Sequence, residues 1–310
     1  MNGNNEILAK PFLKWAGGKG QLLHQFFSFY PRELKMGEIE NYYEPFIGGG
    51  AVFFDVVQKF RIKNAFLYDI NKELILTYRV IQKDVLGLTE YLQLIQEEYF
   101  RLNELKQREY FYATRATFNH NRLITDFDNY SENWIPRAAQ IIFLNKTCFN
   151  GLFRFNSKGE FNVPAGKYRN PKILNRENLL KVSEILKIAT IENADFVTVE
   201  NGIKENSFIY FDPPYRPLNA TSSFTAYSKN KFDDEEQIKL AHLFSRLNDK
   251  GIKMMLSNSD PKNNDSNDNF FDELYRNFNI RRIPATRMIN SNAAKRNAIN
   301  EIVVTNYIPD

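Results

Sequence analysis

A single cysteine, Cys148, stands among 310 residues. A lone thiol closes no intramolecular disulfide and builds no cysteine-based zinc site, and no other cluster of zinc ligands is visible. A reduced, cytosolic setting is the expectation that follows. No apolar run approaches the ~18 residues that a membrane-spanning helix needs. The first ten residues lack the apolar stretch of a signal peptide. Internal repeats are absent. Charge of one sign is also scarce overall: the formal net charge is only +4, with a pI near 8.9. That balance suits a nucleic-acid partner, but many proteins that act on small molecules share it.

What is present is a globular composition, 43% hydrophobic, with 27 Phe and 16 Tyr. Such aromatics are more often core than base-stacking platforms. Apolar spacing predicts helices over 21–30, 51–60 and 72–81, and short apolar strands over 41–46 and 64–68. The first strand runs into Gly48-Gly49-Gly50, and the second ends at Asp69. Strands alternating with helices predict an α/β fold with a parallel sheet. From about 86 to 149 the pattern turns helical, polar and tyrosine-rich, and 150–171 is irregular. The α/β pattern returns after about 177, with a strand at 207–211 ending on Asp212. A helix at 235–247 and a strand at 252–256 leading into Ser257-Asn258-Ser259 come next. A terminal strand pair at 279–285 and 301–307 flanks a basic Asn/Ser loop. The asparagine-rich stretch 263–269 reads as a polar loop. The catalytic fold is therefore expected to be discontinuous (1–85 and 177–310), with an inserted module at 86–176.

Charge is not spread evenly over these parts. Residues 137–176 hold eight basic side chains (Arg137, Lys146, Arg154, Lys158, Lys167, Arg169, Lys172 and Arg176) against the single acid Glu160. The surplus of seven exceeds that of the whole chain, so the remainder is net acidic. Positive charge is concentrated where a polyanion would be gripped, unless the segment is simply a solvated basic loop.

Two motifs carry chemistry. In Glu44-Pro45-Phe46-Ile47-Gly48-Gly49-Gly50 a glycine turn follows the first strand, which lets backbone approach a bound ligand. Asp69 closes the next strand 19 residues after Gly50, an interval that suits an acid holding the two hydroxyls of a ribose. A nucleoside cofactor is implied. The glycines do not spell the dinucleotide fingerprint, and Gly17-Gly18-Lys19 lacks the earlier glycine and following Ser/Thr of a phosphate-binding loop. The second motif is Asp212-Pro213-Pro214-Tyr215, at the carboxyl end of an apolar strand, where such sheets bind ligands. Two prolines fix the backbone and remove two N–H donors, leaving carbonyls free to accept. Adenine N6 is a poor nucleophile because its lone pair is delocalised into the ring. Hydrogen bonds from its two hydrogens to the Asp212 carboxylate and the Pro213 carbonyl would localise that lone pair, and Tyr215 could stack on the base. The bland alternative is an Asp-Pro turn.

Taken together, Phe12-Leu13-Lys14-Trp15-Ala16-Gly17-Gly18-Lys19, the Tyr43 to Gly50 turn, Tyr68-Asp69 and the Asp212 tetrapeptide resemble the Dam family of N6-adenine DNA methyltransferases, in the motif order of its alpha class. The insert is similar to that family's recognition module at Asn150-Gly151-Leu152-Phe153-Arg154-Phe155-Asn156, Gly159-Glu160-Phe161-Asn162-Val163-Pro164 and Gly166-Lys167-Tyr168. The closing Glu301-Ile302-Val303-Val304-Thr305-Asn306-Tyr307 matches too. The resemblance implies a Rossmann-like class I methyltransferase sheet with an inserted, mainly helical target-recognition domain. It implies S-adenosylmethionine as methyl donor, S-adenosylhomocysteine as product and no metal. Trp15, Lys19, Glu44, Pro45, Phe46, Gly48, Gly50, Asp69 and Asp212 would hold the donor. Asp212, Pro213, Pro214 and Tyr215 would hold a flipped adenine. Lys14, Leu152, Arg154, Pro164, Lys167, Tyr168 and Arg169 would contact duplex DNA, with GATC the implied site. A cytoplasmic bacterial or phage enzyme, monomeric or weakly dimeric, is implied, and a cognate restriction endonuclease is left open as a further partner. Rival readings are an RNA adenine methyltransferase, which the ordered module at 151–168 argues against, and a nonenzymatic DNA-binding regulator, which the intact tetrapeptide argues against. A nicotinamide dehydrogenase is disfavoured by its glycine pattern.

Overall fold

The computed structural model describes residues 8–15, 17–216, 232–286 and 298–309. The expected basic loop between the last two strands lies mostly outside them. The strands are β1 (Asn41–Glu44), β2 (Asn64–Asp69), β3 (Ala189–Asn193), β4 (Ser207–Phe211), β5 (Lys253–Ser259), β6 (Asn279–Thr286) and β7 (Ala298–Thr305). They form one sheet in the order β3-β2-β1-β4-β5-β7-β6. The first five are mutually parallel, and β7 runs antiparallel between β5 and β6. This is the α/β fold with a mainly parallel sheet that the alternating pattern predicts, in the Rossmann-like form that the resemblance implies.

The central strands β1 and β4 are buried throughout, and their side chains alternate between two cores. Tyr42, Leu67, Phe208, Tyr210 and Met255 face one. Tyr43, Tyr68, Ile209, Phe211 and Leu256 face the other. Helices α1 (Leu23–Phe29), α2 (Arg32–Lys35), α3 (Ala51–Lys59) and α4 (Lys72–Lys83) are followed by α5 (Val85–Arg101), α6 (Glu104–Asn121) and α7 (Trp134–Thr147). Then come α8 (Arg176–Leu186), α9 (Asp234–Asp249) and α10 (Phe270–Leu274). The first core takes in α1, α3 and α4 and continues without a break into α5–α8, while α9 and α10 cover the second. Burying both faces requires near-continuous apolar strands, which is why β1, β4 and β5 are legible in the sequence.

After α7 the chain folds into an irregular hairpin. Cys148 pairs with Ala165 and Phe155 with Phe161, Phe149 N–H donates to the Pro164 carbonyl at 2.9 Å, and a turn at Asn156–Glu160 reverses the chain. Phe153, Phe155 and Phe161 pack edge-on beneath it.

One charge expectation is corrected here. Arg137 is buried, and its guanidinium forks onto Glu73 of α4 and donates to the Phe118 carbonyl of α6. It ties α7 to α4 and offers nothing to a polyanion. Lys146 is half-buried, and burial, with Lys14 and Lys172 nearby, lowers its ammonium to about 8. The exposed positive charge of residues 137–176 therefore rests on Lys158, Lys167, Arg169, Lys172 and Arg176, with Arg154 half-buried.

Candidate active site

Strand ends create the site. β1 ends at Glu44 and the chain turns at once through Ile47–Gly50 into α3. Gly48 has φ +45° and Gly50 φ +70°, backbone that side chains with a Cβ rarely adopt. Space forbids a side chain as well. A Cβ on Gly48 would lie 2.6 Å from Trp15 Nε1, and one on Gly50 would lie 2.7 Å from the Tyr78 hydroxyl. The Trp15 indole thus lies directly over the turn. Tyr78, from α4, holds the turn from below by donating to the Gly48 carbonyl at 3.1 Å.

Asp69, the last residue of β2, accepts from Gly48 N–H at 3.2 Å and from Asn71 N–H at 2.9 Å. Burial pushes its carboxyl up to about 6 against these two donors. A carboxylate offers about four acceptor positions, so two stay available beside the turn. Phe46 packs on Phe196 and Phe232, with ring centroids 5.4 and 5.5 Å away. Pro45 is buried. Glu44 is buried and accepts from the Tyr42 hydroxyl. Burial raises its carboxyl well above the usual range, partly opposed by that hydrogen bond. A glycine cradle that a Cβ would fill, an aromatic lid and a strand-end carboxylate together fit a nucleoside-bearing cofactor.

The Asp212 tetrapeptide follows β4 directly. Asp212 Oδ1 lies 2.7 Å from Lys19 Nζ and accepts from Ser257 Oγ of β5 at 3.3 Å. Tyr210, beneath it, shares a 2.6 Å hydrogen bond with the same Ser257 hydroxyl. Among the described residues the other oxygen, Oδ2, has no protein hydrogen-bond partner, and the side chain keeps 21% exposure. Burial raises the Asp212 carboxyl, and the Lys19 ammonium draws it back. Burial alone would depress Lys19, but Asp212, Tyr215 and Glu301 outweigh it and hold the ammonium above its ordinary value. At 2.7 Å the two side chains form an ion pair.

The two prolines differ. Pro213 is buried, and no donor among the described residues reaches its carbonyl. The Pro214 carbonyl accepts from Gln237 of α9 at 3.1 Å, so the expectation that both carbonyls stay free of donors is corrected: one braces the motif against a helix. Tyr215 is 37% exposed, with its ring at the mouth and its hydroxyl turned inward to Lys19 and Glu301 at 2.8 Å each.

The expected DNA-contacting residues lie in a neighbouring group. Lys14 lies along Gly151, where a Cβ would strike its side chain. Its Nζ sits 4.6 Å from the Tyr168 ring centroid and 3.4 Å from that hydroxyl. Asn145 of α7 clamps the junction, pairing with the backbone of Lys14 and donating to the Gly151 carbonyl. Arg154 donates through Nε to Asn162 at 3.0 Å, which orients its guanidinium. Leu152 is half-buried, while Pro164, Lys167 and Arg169 are exposed on the hairpin. The side chains of Phe153 and Trp15 pack with ring centroids 5.1 Å apart, so the hairpin abuts the glycine turn. Asn145, Ser257, Phe196 and Glu301 belong to the site and carry no sequence signature of their own. Glu301 alone could have been flagged, since it opens the closing motif. Among the described residues no group of three or more His, Cys, Asp or Glu side chains is arranged to hold a metal ion.

Comparison with known proteins gives a consistent result. The profile of the D12 class N6 adenine-specific DNA methyltransferases matches residues 15–289. The chain is 48% identical to the Type II methyltransferase M.MjaIII of Methanocaldococcus jannaschii, over 96% of this chain and 99% of that protein. It is 38% identical to the Type II methyltransferase M1.LlaDCHI of Lactococcus lactis, over 98% and 97%. It is 32% identical to the DNA adenine methylase of Escherichia coli K12, over 95% and 94%.

Proposed function

The chain belongs to the D12 class of N6-adenine-specific DNA methyltransferases, and from that premise we propose how its residues divide the work. The activity is methylation of adenine N6 in DNA, and the family implies S-adenosylmethionine as donor. When bound, the donor supplies a methyl group activated by a sulfonium, and it leaves as S-adenosylhomocysteine.

In this reading Trp15, Lys19, the Glu44–Gly50 turn and Asp69 hold the donor, with Asp69 accepting from the ribose hydroxyls. Asp212 Oδ2 and the Pro213 carbonyl accept the two N6 hydrogens, which localises the nitrogen lone pair toward the methyl carbon. Positioning does most of this work, since neither acceptor needs extreme basicity. Tyr215 stacks on the base. N6 is buried in a base pair, so the adenine is extruded from the duplex at a cost of a few kcal/mol, offset by pocket contacts. Residues 86–176 form the target-recognition domain, in which Lys167 and Arg169 hold phosphates and set register. Lys14, Leu152, Arg154, Pro164 and Tyr168 read bases, and the site read is GATC. An Arg suits guanine O6 and N7, and apolar side chains suit a thymine methyl. The enzyme acts in the cytoplasm.

The observation that carries this reading is one short segment. Lys14 touches the recognition hairpin, Trp15 covers the glycine turn, and Lys19 pairs with Asp212. Base reading, cofactor and chemistry are thus spanned by six consecutive positions. The test is digestion of DNA from a methylation-deficient host expressing the chain. Protection from a GATC cutter that adenine methylation blocks is expected. Fully sensitive DNA would exclude GATC and leave the N6 chemistry standing.

A further inference from the structure

Glu301 has no part in the reaction as described so far, yet it reaches the centre of the site. It lies early in β7, opposite Ser259 of β5. Because β7 runs antiparallel, its first residues arrive at the edge where the parallel strands end, beside Asp212. The side chain is 9% exposed. Its Oε1 accepts the Tyr215 hydroxyl at 2.8 Å. A phenol has one hydrogen to give, and in this structure it goes to Glu301. The same hydroxyl accepts from Lys19 Nζ at 2.8 Å. The three hydrogens of that ammonium are matched by Asp212 at 2.7 Å, Tyr215 at 2.8 Å and the Gly17 carbonyl at 3.2 Å. Glu301 Oε2 stands 3.6 Å from the ammonium and has no hydrogen bond among the described residues.

A buried carboxylate with an unfilled oxygen is costly to keep. Space-filling does not explain it, because an apolar side chain would fill the same volume without that cost. What the carboxylate does is hold a hydroxyl whose ring stands at the mouth of the site. We propose that Glu301 is a positioning residue that fixes the plane of the Tyr215 ring, acting through the phenolic hydroxyl, so that the target base meets a preset stacking surface. This rests on the reading of Tyr215 as the surface that stacks on adenine. Pro213 and Pro214 restrict the backbone leading into the tyrosine, and Glu301 and Lys19 hold its far end; because a phenolic hydrogen prefers the plane of its ring, the direction of the bond to Glu301 also sets the ring's rotation about its own axis. Preset geometry of this kind affects the rate more than the affinity.

The experiment is a double-mutant cycle of Glu301→Ala and Tyr215→Phe, read in single-turnover methylation and in the fluorescence of a duplex carrying 2-aminopurine at the target position. Each single variant is expected to slow transfer by about tenfold, the size of a lost hydrogen bond to a charged group. KM for DNA should stay nearly unchanged. The double variant should be no slower than the slower single variant, because both remove one interaction. Bound 2-aminopurine should be brighter in both variants, since a loosened ring quenches less, and Glu301→Gln, which keeps an acceptor oxygen, should recover most of the rate. Tyr215→Phe at the wild-type rate overturns the proposal, even if Glu301→Ala fails to fold. Fully additive losses also overturn it. Full activity of Asp212→Ala in the same assay would instead overturn the site assignment on which the proposal stands.

Discussion

Replacing Asp212 by alanine tests the site most directly, and the structure sets two magnitudes for it. The first concerns chemistry. Asp212 Oδ1 is occupied by Lys19 and Ser257, and Oδ2 has no hydrogen-bond partner among the described residues, so on the proposed assignment the variant removes one positioned acceptor from the reacting amine. Losing one preorganised hydrogen-bonding group at a reacting centre costs ~10²–10³-fold in kcat, about 2.7–4 kcal/mol. The second concerns folding. Removing one partner of a buried ion pair typically costs ~3–5 kcal/mol, because the other charge is stranded. Here Lys19 keeps Tyr215 and Gly17 as acceptors, and the unfilled Glu301 Oε2 at 3.6 Å can close on it. Asp212 also gives up its own burial penalty, which is what raises its carboxyl. We therefore expect a stability loss of only about 1–2 kcal/mol, below the usual range. The assay is transfer of labelled methyl to a GATC duplex, run beside urea denaturation followed by circular dichroism. A folded variant with near wild-type turnover refutes the catalytic assignment. A variant destabilised by the full buried-pair cost refutes the compensation by Glu301.

Further outcomes are expected at Asp69, at Arg137 and in the hairpin. Asp69→Ala should weaken binding of S-adenosylhomocysteine by roughly 2–4 kcal/mol, the worth of two hydrogen bonds to a charged acceptor, as read by calorimetric titration. The Asp69 carboxyl titrates at about 6, above its ordinary 3.8, so the folded chain keeps a proton there that the unfolded chain has lost; stability from this group falls as pH rises from about 4 to 6, while ligand affinity, which needs the carboxylate, rises through about 6 in the wild type and stays flat in Asp69→Asn. Arg137→Ala strands buried Glu73 and should cost ~3–5 kcal/mol in urea denaturation, with turnover retained at low temperature; a loss under ~1 kcal/mol would mean that Glu73 finds water or another partner. Arg154→Ala should relax base choice at one position by ~1–3 kcal/mol, while Lys167→Ala or Arg169→Ala should weaken binding to all sequences and lower the salt slope by about 1; uniform weakening by Arg154→Ala, measured across single-substituted duplexes, would reduce it to a phosphate contact.

Much of the fold can be read from the sequence because most of its strands are buried on both faces. β1, β4 and β5 appear as short apolar runs, each closed by a glycine turn, an acid or a polar triplet. β3 does not. It is the edge strand, paired only with β2, and of its five residues only Ile191 is buried. Its sequence Ala-Thr-Ile-Glu-Asn therefore has neither an apolar run nor a clean alternation. The short helices α2 and α10 are missed because one turn carries too little periodicity to register. Element ends shift by a few residues where the strand outlasts the apolar run: Ser257, Asn258 and Ser259 lie beyond that run yet complete β5, paired with Val303, Ile302 and Glu301 of β7.

The site divides along the same physical line. Asp69, Asp212 and the glycine turn are legible because their meaning is local: an acid or a glycine directly after a strand sits at the carboxyl edge whatever the rest of the chain does. Arg137 is not legible, and Glu301 is legible only as the first residue of the closing motif, because their roles are set by partners that arrive from elsewhere. Arg137 counts as surface charge until α4 brings Glu73 across 64 positions. Glu301 comes to Asp212 only because β7 enters the sheet backwards, next to β5, a consequence of strand order rather than of any nearby residue. The charge balance of the centre follows from that order. Glu44, Asp212 and Glu301 crowd one edge with Lys19 as the cation among them. Burial raises all three carboxyls, yet Lys19 reaches only two of them directly. Glu44 instead accepts from the neutral hydroxyl of Tyr42, which leaves the pair formed by Lys19 and Asp212 undisturbed.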